Sequence, residues 1–252
     1  MAAPNMRIGL LGGSFNPAHQ GHRQISLASI KRLGLDQVWW LVSPGNPLKE
    51  TRKLPDLGER VAAAREVARH PRIIVTGFEG ARTSAYTIDT VRFLKRCNPS
   101  VDFMWLMGAD NLVSFHRWRE WQRLFSLVPI AVFDRPGYRL KARASKAAQR
   151  FALAALDESD ARGLAAMEPP AWTLLTFPLS WLASTSLRYR EQAKRTAAKT
   201  RKAAKSAKKE TERAEKAAKR RSNKEAKQEK KAAKKPGGQK DTKKSKKNAK
   251  RH

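Results

Sequence analysis

Cysteine is almost missing from this chain: Cys97 is the single one in 252 residues. That excludes an intramolecular disulfide, and with it a disulfide-stapled secreted scaffold, and it fits a reducing compartment. Long apolar runs are missing too. None approaches the roughly 18 residues that a membrane helix requires, and residues 1–7 lack the apolar stretch of a secretory signal. No membrane partner is expected, and the expected location is the cytoplasm. Neither GxxxxGK followed by Ser or Thr nor GxGxxG occurs, which excludes a P-loop NTPase and a standard dinucleotide fingerprint. Acids are scarce, 22 against 53 Lys and Arg, for a formal net charge of +31.

That charge is unevenly placed. Residues 189–252 hold 27 basic and 7 acidic side chains, or +20 in 64 positions, while residues 1–188 hold +11. After Tyr189 the chain is Lys/Ala-rich with almost no large apolar residue. It cannot bury enough surface to offset the entropy of ordering, although alanine and lysine favour helix. Three regions are therefore expected. Residues 1–6 form an N-terminal extension, with Met6 directly before the first strand-like run and a candidate alternative start. Residues 7–189 form a globular domain, and residues 190–252 a disordered or helical Lys-rich tail. Such a tail suits non-specific contact with nucleic acid or another polyanion through counterion release. With no aromatics among its lysines, base stacking is not expected.

Within the body, short apolar runs alternate with helical patterns. Strands are expected at 7–11, 37–42, 72–76, 102–107, 129–133 and 172–177. Helices are expected at 21–33, closed by Gly34, and at 57–69, 86–96, 118–127 and 141–156. Apolar strands of five or six residues alternating with helices predict an α/β fold. Its architecture is a Rossmann-like, doubly wound parallel sheet with helices on both faces. Ligands of such sheets bind beyond the carboxyl ends of the strands, near the switch in strand order.

The segment after the first strand reads GGSFNPAHQGH, Gly12 to His22. Gly12 and Gly13 let backbone approach a ligand without Cβ obstruction, and Pro17 stiffens the turn. His19 and His22, two of only five histidines, stand three apart at the mouth of the next helix. Free N–H groups and partial positive charge make a helix start an anion site, and two imidazoles there can both donate to a phosphate. A zinc pair is disfavoured, because no cysteine or obvious third carboxylate lies nearby, and no protein-held metal is expected.

This segment resembles the GxFxPxHxGH signature of the nucleotidyltransferase superfamily. About 160 residues later, Leu182 to Arg188, LASTSLR, resembles its second signature, ISSTxIR, with Ala183 in place of the first serine. Together the two are highly specific. Ser84 to Asp89 (SAYTID), Gly108-Ala109-Asp110 followed by Trp118, and Arg135-Pro136-Gly137-Tyr138 are similar to markers of the nicotinate-nucleotide adenylyltransferases. They argue against the phosphopantetheine adenylyltransferases, which share both signatures. The likeness runs nearly continuously over 7–188.

The resemblance implies transfer of AMP from ATP to nicotinate mononucleotide, with Mg²⁺ accompanying the triphosphate. It assigns the phosphate cradle to backbone of Gly12, Gly13, Ser14 and Phe15, and catalytic phosphate contacts to His19 and His22. Ser184, Thr185 and the catalytic Arg188 clamp the outer phosphates, where a Ser or Thr cap with Arg one turn later is also the natural chemistry. Gly108 and Asp110 belong to the ATP site, where Asp110 meets the nucleotide ribose. Asn46, Lys49, Thr87, Trp118 and Arg135 receive the mononucleotide, with Trp118 stacking on the pyridine ring.

Overall fold

A run such as QVWWLV puts apolar side chains on both faces of a strand, so it can settle only where both faces are covered. The computed structural model describes residues 3–45, 54–81 and 86–177 and shows this arrangement. Seven strands form one all-parallel sheet: β1 (Arg7–Gly13), β2 (Gln37–Val42), β3 (Ile73–Thr76), β4 (Asp102–Gly108), β5 (Ile130–Phe133), β6 (Ala155–Leu156) and β7 (Trp172–Leu175). Their order is β3-β2-β1-β4-β5-β7-β6. The chain winds outward from β1 through β2 to β3, then crosses back to lay β4 on the other side of β1. The switch point therefore lies between β1 and β4, with Gly12-Gly13 and Gly108 at their carboxyl ends.

Alternate residues of each strand feed two separate cores. On one face Ile8, Leu10, Trp105, Met107, Ile130, Val132 and Leu174 pack with α3 (Thr87–Cys97), α4 (Ala109–Ser114), α5 (Trp121–Phe125), α6 (Arg139–Arg143) and α7 (Lys146–Arg150). On the other, Leu11, Val38, Trp40, Met104, Leu106, Ala131 and Phe133 pack with α1 (Gln20–Arg32), α2 (Leu57–Ala68) and a 3-10 segment, Glu158–Ala166. The doubly wound expectation holds. Gly34, at φ +62°, ends α1 in the left-handed conformation, as the sequence predicts.

Three expectations change. The helix over 141–156 is broken into α6, α7, a 3-10 turn at Ala152–Ala154 and the edge strand β6. The buried Ser145 hydroxyl accepts a hydrogen bond from Ala148 N, starting α7 afresh, and Phe151 then turns inward to stack on Phe125 at 4.2 Å. Trp118 lies outside the helix expected around it, because Glu120 at φ 49° delays the start of α5 to Trp121. The last strand stops at Leu175. Among the described residues no helix is long and apolar enough to cross a membrane.

Candidate active site

The segment from Gly12 to His22 forms one wall. Gly12 and Gly13 close β1, and Phe15 follows at φ 44°, a conformation costly for a residue with a Cβ. The strain is held by packing. The Phe15 ring is 2% exposed, stacks on Trp40 at 5.0 Å and lies 4.7 Å from the His22 ring. Trp40 is fixed in turn by donating its Nε1–H to Ser26 Oγ at 2.7 Å, and that hydroxyl donates to the His22 carbonyl at 2.9 Å. Gly12 has a further reason to lack a side chain, since a Cβ there would meet the Trp105 ring at 2.5 Å.

His19 caps α1, and His22 sits in its first turn with the two rings 3.8 Å apart. His22 Nδ1 accepts the His19 backbone N–H at 3.2 Å, so a neutral His22 carries its proton on Nε2. His19 is 6% exposed, and neither ring nitrogen has a hydrogen-bond partner within the described residues. Burial, reinforced by the charge of Arg135, lowers the His19 pKa to about 4. Burial, then His19 and then Arg135, lowers that of His22 to about 3. Both imidazoles are neutral donors near pH 7 while the site is empty of anions. A bound polyanion would favour the protonated forms.

The opposite wall comes from β4 and β5. Gly108 ends β4 and caps α4, Asp110 lies in the first turn of that helix, and Arg135 follows β5. Arg135 Nε lies 3.3 Å from Asp110 Oδ1. The pair crosses directly over Gly108, where a Cβ would sit 2.5 Å from Asp110 Oδ1 and 2.9 Å from Arg135 Nε. Thus Gly12, Gly13, His19, His22, Gly108, Asp110 and Arg135 all gather at the switch point. Trp118 approaches from the side, edge-on to Trp105 at 6.1 Å, which links it to Gly12. Thr87 opens α3, and Arg92 of that helix forks onto Glu120 at 2.7 and 3.2 Å, fixing the helix beside the turn that carries Trp118. Asn46, Lys49, Ser184, Thr185 and Arg188 lie outside the described residues, as does the basic tail.

The sequence reading overlooked three contributors. Trp40 and Trp105, buried in the two cores, pack directly behind Phe15 and Gly12. Arg60 is 4% exposed yet belongs to no ion pair among the described residues. It lies four residues before Ala64 and eight before Ala68, on the buried stripe of α2. An arginine on a core-facing stripe was the available signal.

The Cytidylyltransferase-like family model matches residues 10–188. Over 185 residues the chain is 57% identical to a protein of Methylorubrum extorquens (strain PA1) named "Probable nicotinate-nucleotide adenylyltransferase", using 73% of this chain and all of that one. This chain belongs to the nicotinate-nucleotide adenylyltransferases, within the cytidylyltransferase-like family. A Rhizobium meliloti (strain 1021) adenylyltransferase of the same name is 50% identical over 183 residues, covering 73% of this chain and 97% of its own. The fold is shared with the Plasmodium falciparum nicotinic acid mononucleotide adenylyltransferase complexed with NaAD, at TM-score 0.56 and 17% identity over 73% of this chain and 83% of that one. The family match includes the LASTSLR segment, and about a quarter of this chain has no counterpart in the M. extorquens adenylyltransferase.

Proposed function

We propose that this adenylyltransferase joins ATP and nicotinate mononucleotide into nicotinic acid adenine dinucleotide, releasing pyrophosphate. A phosphate oxygen of the mononucleotide attacks the α-phosphorus of ATP. The bond from that phosphorus to the α–β bridging oxygen breaks in line, and the electron pair leaves with pyrophosphate. The nucleophile comes from the substrate, so the protein's work is to position two polyanions and stabilise charge on the reacting phosphates.

The observation that carries this reading is the histidine pair at the switch point, His19 buried with both ring nitrogens unpartnered among the described residues and His22 left with Nε2 as its donor. His22 donates from Nε2 to the reacting phosphate, His19 contacts it alongside, and backbone of Gly12 to Phe15 cradles the chain of phosphates. Arg188, with Ser184 and Thr185, holds the outer phosphates. Asp110 receives the ribose hydroxyls. Arg135, now paired with Asp110, and Trp118, Thr87, Asn46 and Lys49 receive the mononucleotide. No group of three or more His, Cys, Asp or Glu side chains that could hold a metal occurs among the described residues, and Asp110 is engaged by Arg135. Magnesium enters with the triphosphate, as part of the Mg–ATP substrate.

Pyrophosphate release with Mg–ATP, compared across nicotinate mononucleotide, nicotinamide mononucleotide and phosphopantetheine, tests the assignment. Release with the nicotinate substrate alone is expected; release with phosphopantetheine only would overturn it.

The tail, at +20 in 64 residues, supports a second role as a non-specific polyanion contact in the cytoplasm. Full-length protein should be retained on DNA in a salt-sensitive way that a 1–189 truncation lacks. Equal, salt-insensitive retention of both would refute it.

A further inference from the structure

Arg60 is a buried cation with carbonyls for company. Its Nη1 donates to Ser14 O at 2.8 Å and Ser43 O at 2.7 Å, its Nη2 to Pro44 O at 3.3 Å, and its Nε to Pro55 O at 3.0 Å. Ser14 belongs to the phosphate segment after β1, Ser43 and Pro44 to the turn after β2, and Pro55 to the approach to α2. One guanidinium thus joins three stretches of backbone that are distant in sequence. Only a planar fork of five N–H groups can do this; an ammonium on a flexible stem cannot span them.

The contacts have a directional consequence. A trans peptide sets its N–H opposite its C=O, and the cis bonds of the described residues lie elsewhere, at Asn16-Pro17 and Pro169-Pro170. Drawing Ser14 O and Pro44 O onto Arg60 therefore turns the N–H groups of Phe15 and Gly45 away from it. The Ser43 contact adds no such donor, because Pro44 has no N–H. The buried charge has a second effect. No carboxylate of the described residues forms an ion pair with it, Asp56 acting only from beyond ion-pair distance, and its field reaches the phosphate segment from behind, through a single layer of backbone.

We propose that Arg60 is a positioning residue that couples the two substrate loops. It aims the Phe15 and Gly45 N–H groups at bound phosphate and holds the phosphate segment and the mononucleotide turn in one register. This rests on the adenylyltransferase reading above. Replacing it should weaken both substrates together, although the side chain touches neither.

The test compares wild type with Arg60→Ala and Arg60→Lys by calorimetric titration of Mg–ATP and by steady-state kinetics. In Arg60→Ala, the ATP Kd and the nicotinate mononucleotide KM should each rise by about tenfold or more, the scale of a lost charge-assisted hydrogen bond, with kcat changing less. Arg60→Lys should shift both in the same direction by less. Ethylguanidinium should restore part of the ATP affinity of Arg60→Ala and leave wild type unchanged. Should Arg60→Ala not fold, Arg60→Lys decides alone. A folded variant with unaltered affinity for both substrates, or weakened for only one, overturns the coupling. Wild-type protein inactive on nicotinate mononucleotide would sink the reaction assignment, while the ATP titrations would still decide the role of Arg60.

Discussion

The two sides of the switch point hold their arginines differently. Beside β1 and β2, Arg60 is buried among four carbonyl contacts and forms no ion pair among the described residues. Beside β4 and β5, Arg135 lies against Asp110 at 3.3 Å and is partly neutralised. Burial first, and the charge of Arg135 after it, keeps the two histidines neutral near pH 7. On the proposed reading, the first side attracts and cradles anions through backbone and field. The second then serves as an exchangeable ion pair, whose members each turn to a substrate group. A site for two polyanions needs both: fixed dipoles where charge must be met, and movable charges where two ligands must be told apart.

Breaking the first side at its donor should have the largest effect. His22→Ala should lower kcat on the order of 10²- to 10³-fold, as loss of a transition-state donor does, with an unchanged far-ultraviolet circular dichroism spectrum. A near-normal rate would remove His22 from the chemistry. Breaking the second side sterically comes next. Gly108→Ala places a methyl within 2.5 Å of Asp110 Oδ1 and 2.9 Å of Arg135 Nε, so the pair must part. kcat/KM should fall by about tenfold or more, and stability by about 1–3 kcal/mol, read by urea titration.

A pH series sharpens the comparison. His19 and His22 have folded pKa values of about 4 and about 3, against 6.5 when unfolded. As pH falls below about 6.5, the unfolded chain takes up protons that the folded chain refuses. Stability present above that pH is then lost progressively, by up to about 1.4 kcal/mol per histidine per pH unit, until the folded pKa values are reached. The melting temperature should therefore fall more steeply between pH 6.5 and 4 in wild type than in His22→Asn. Saturating Mg–ATP should flatten the wild-type slope, since bound phosphate raises both pKa values. Identical slopes in all three would contradict burial of the pair. Cys97, exposed at the last position of α3, provides the smallest effect: Cys97→Ser should leave turnover unchanged and stability within about 0.5 kcal/mol.

The sequence by itself determined the parallel sheet, because runs such as QVWWLV and DFMWLM can be buried only when covered on both faces. It also determined the histidine pair, whose glycine-rich approach and helix start have few other uses. Local patterning could not show where a helix yields to tertiary demand. Ser145 and Phe151 break the 141–156 pattern because the aromatic ring gains more by stacking on Phe125 than by continuing a helix. Nor could it show what stands behind the site. Trp105 against Gly12, Trp40 beneath Phe15, and Arg60 beneath two loops are contacts between residues tens of positions apart. Trp105 met Gly12 only when the crossover after β3 brought β4 against β1, and Trp40 and Arg60 met their partners when β2 and α2 were laid beside β1, since a side chain's role depends on which backbone the fold lays beside it.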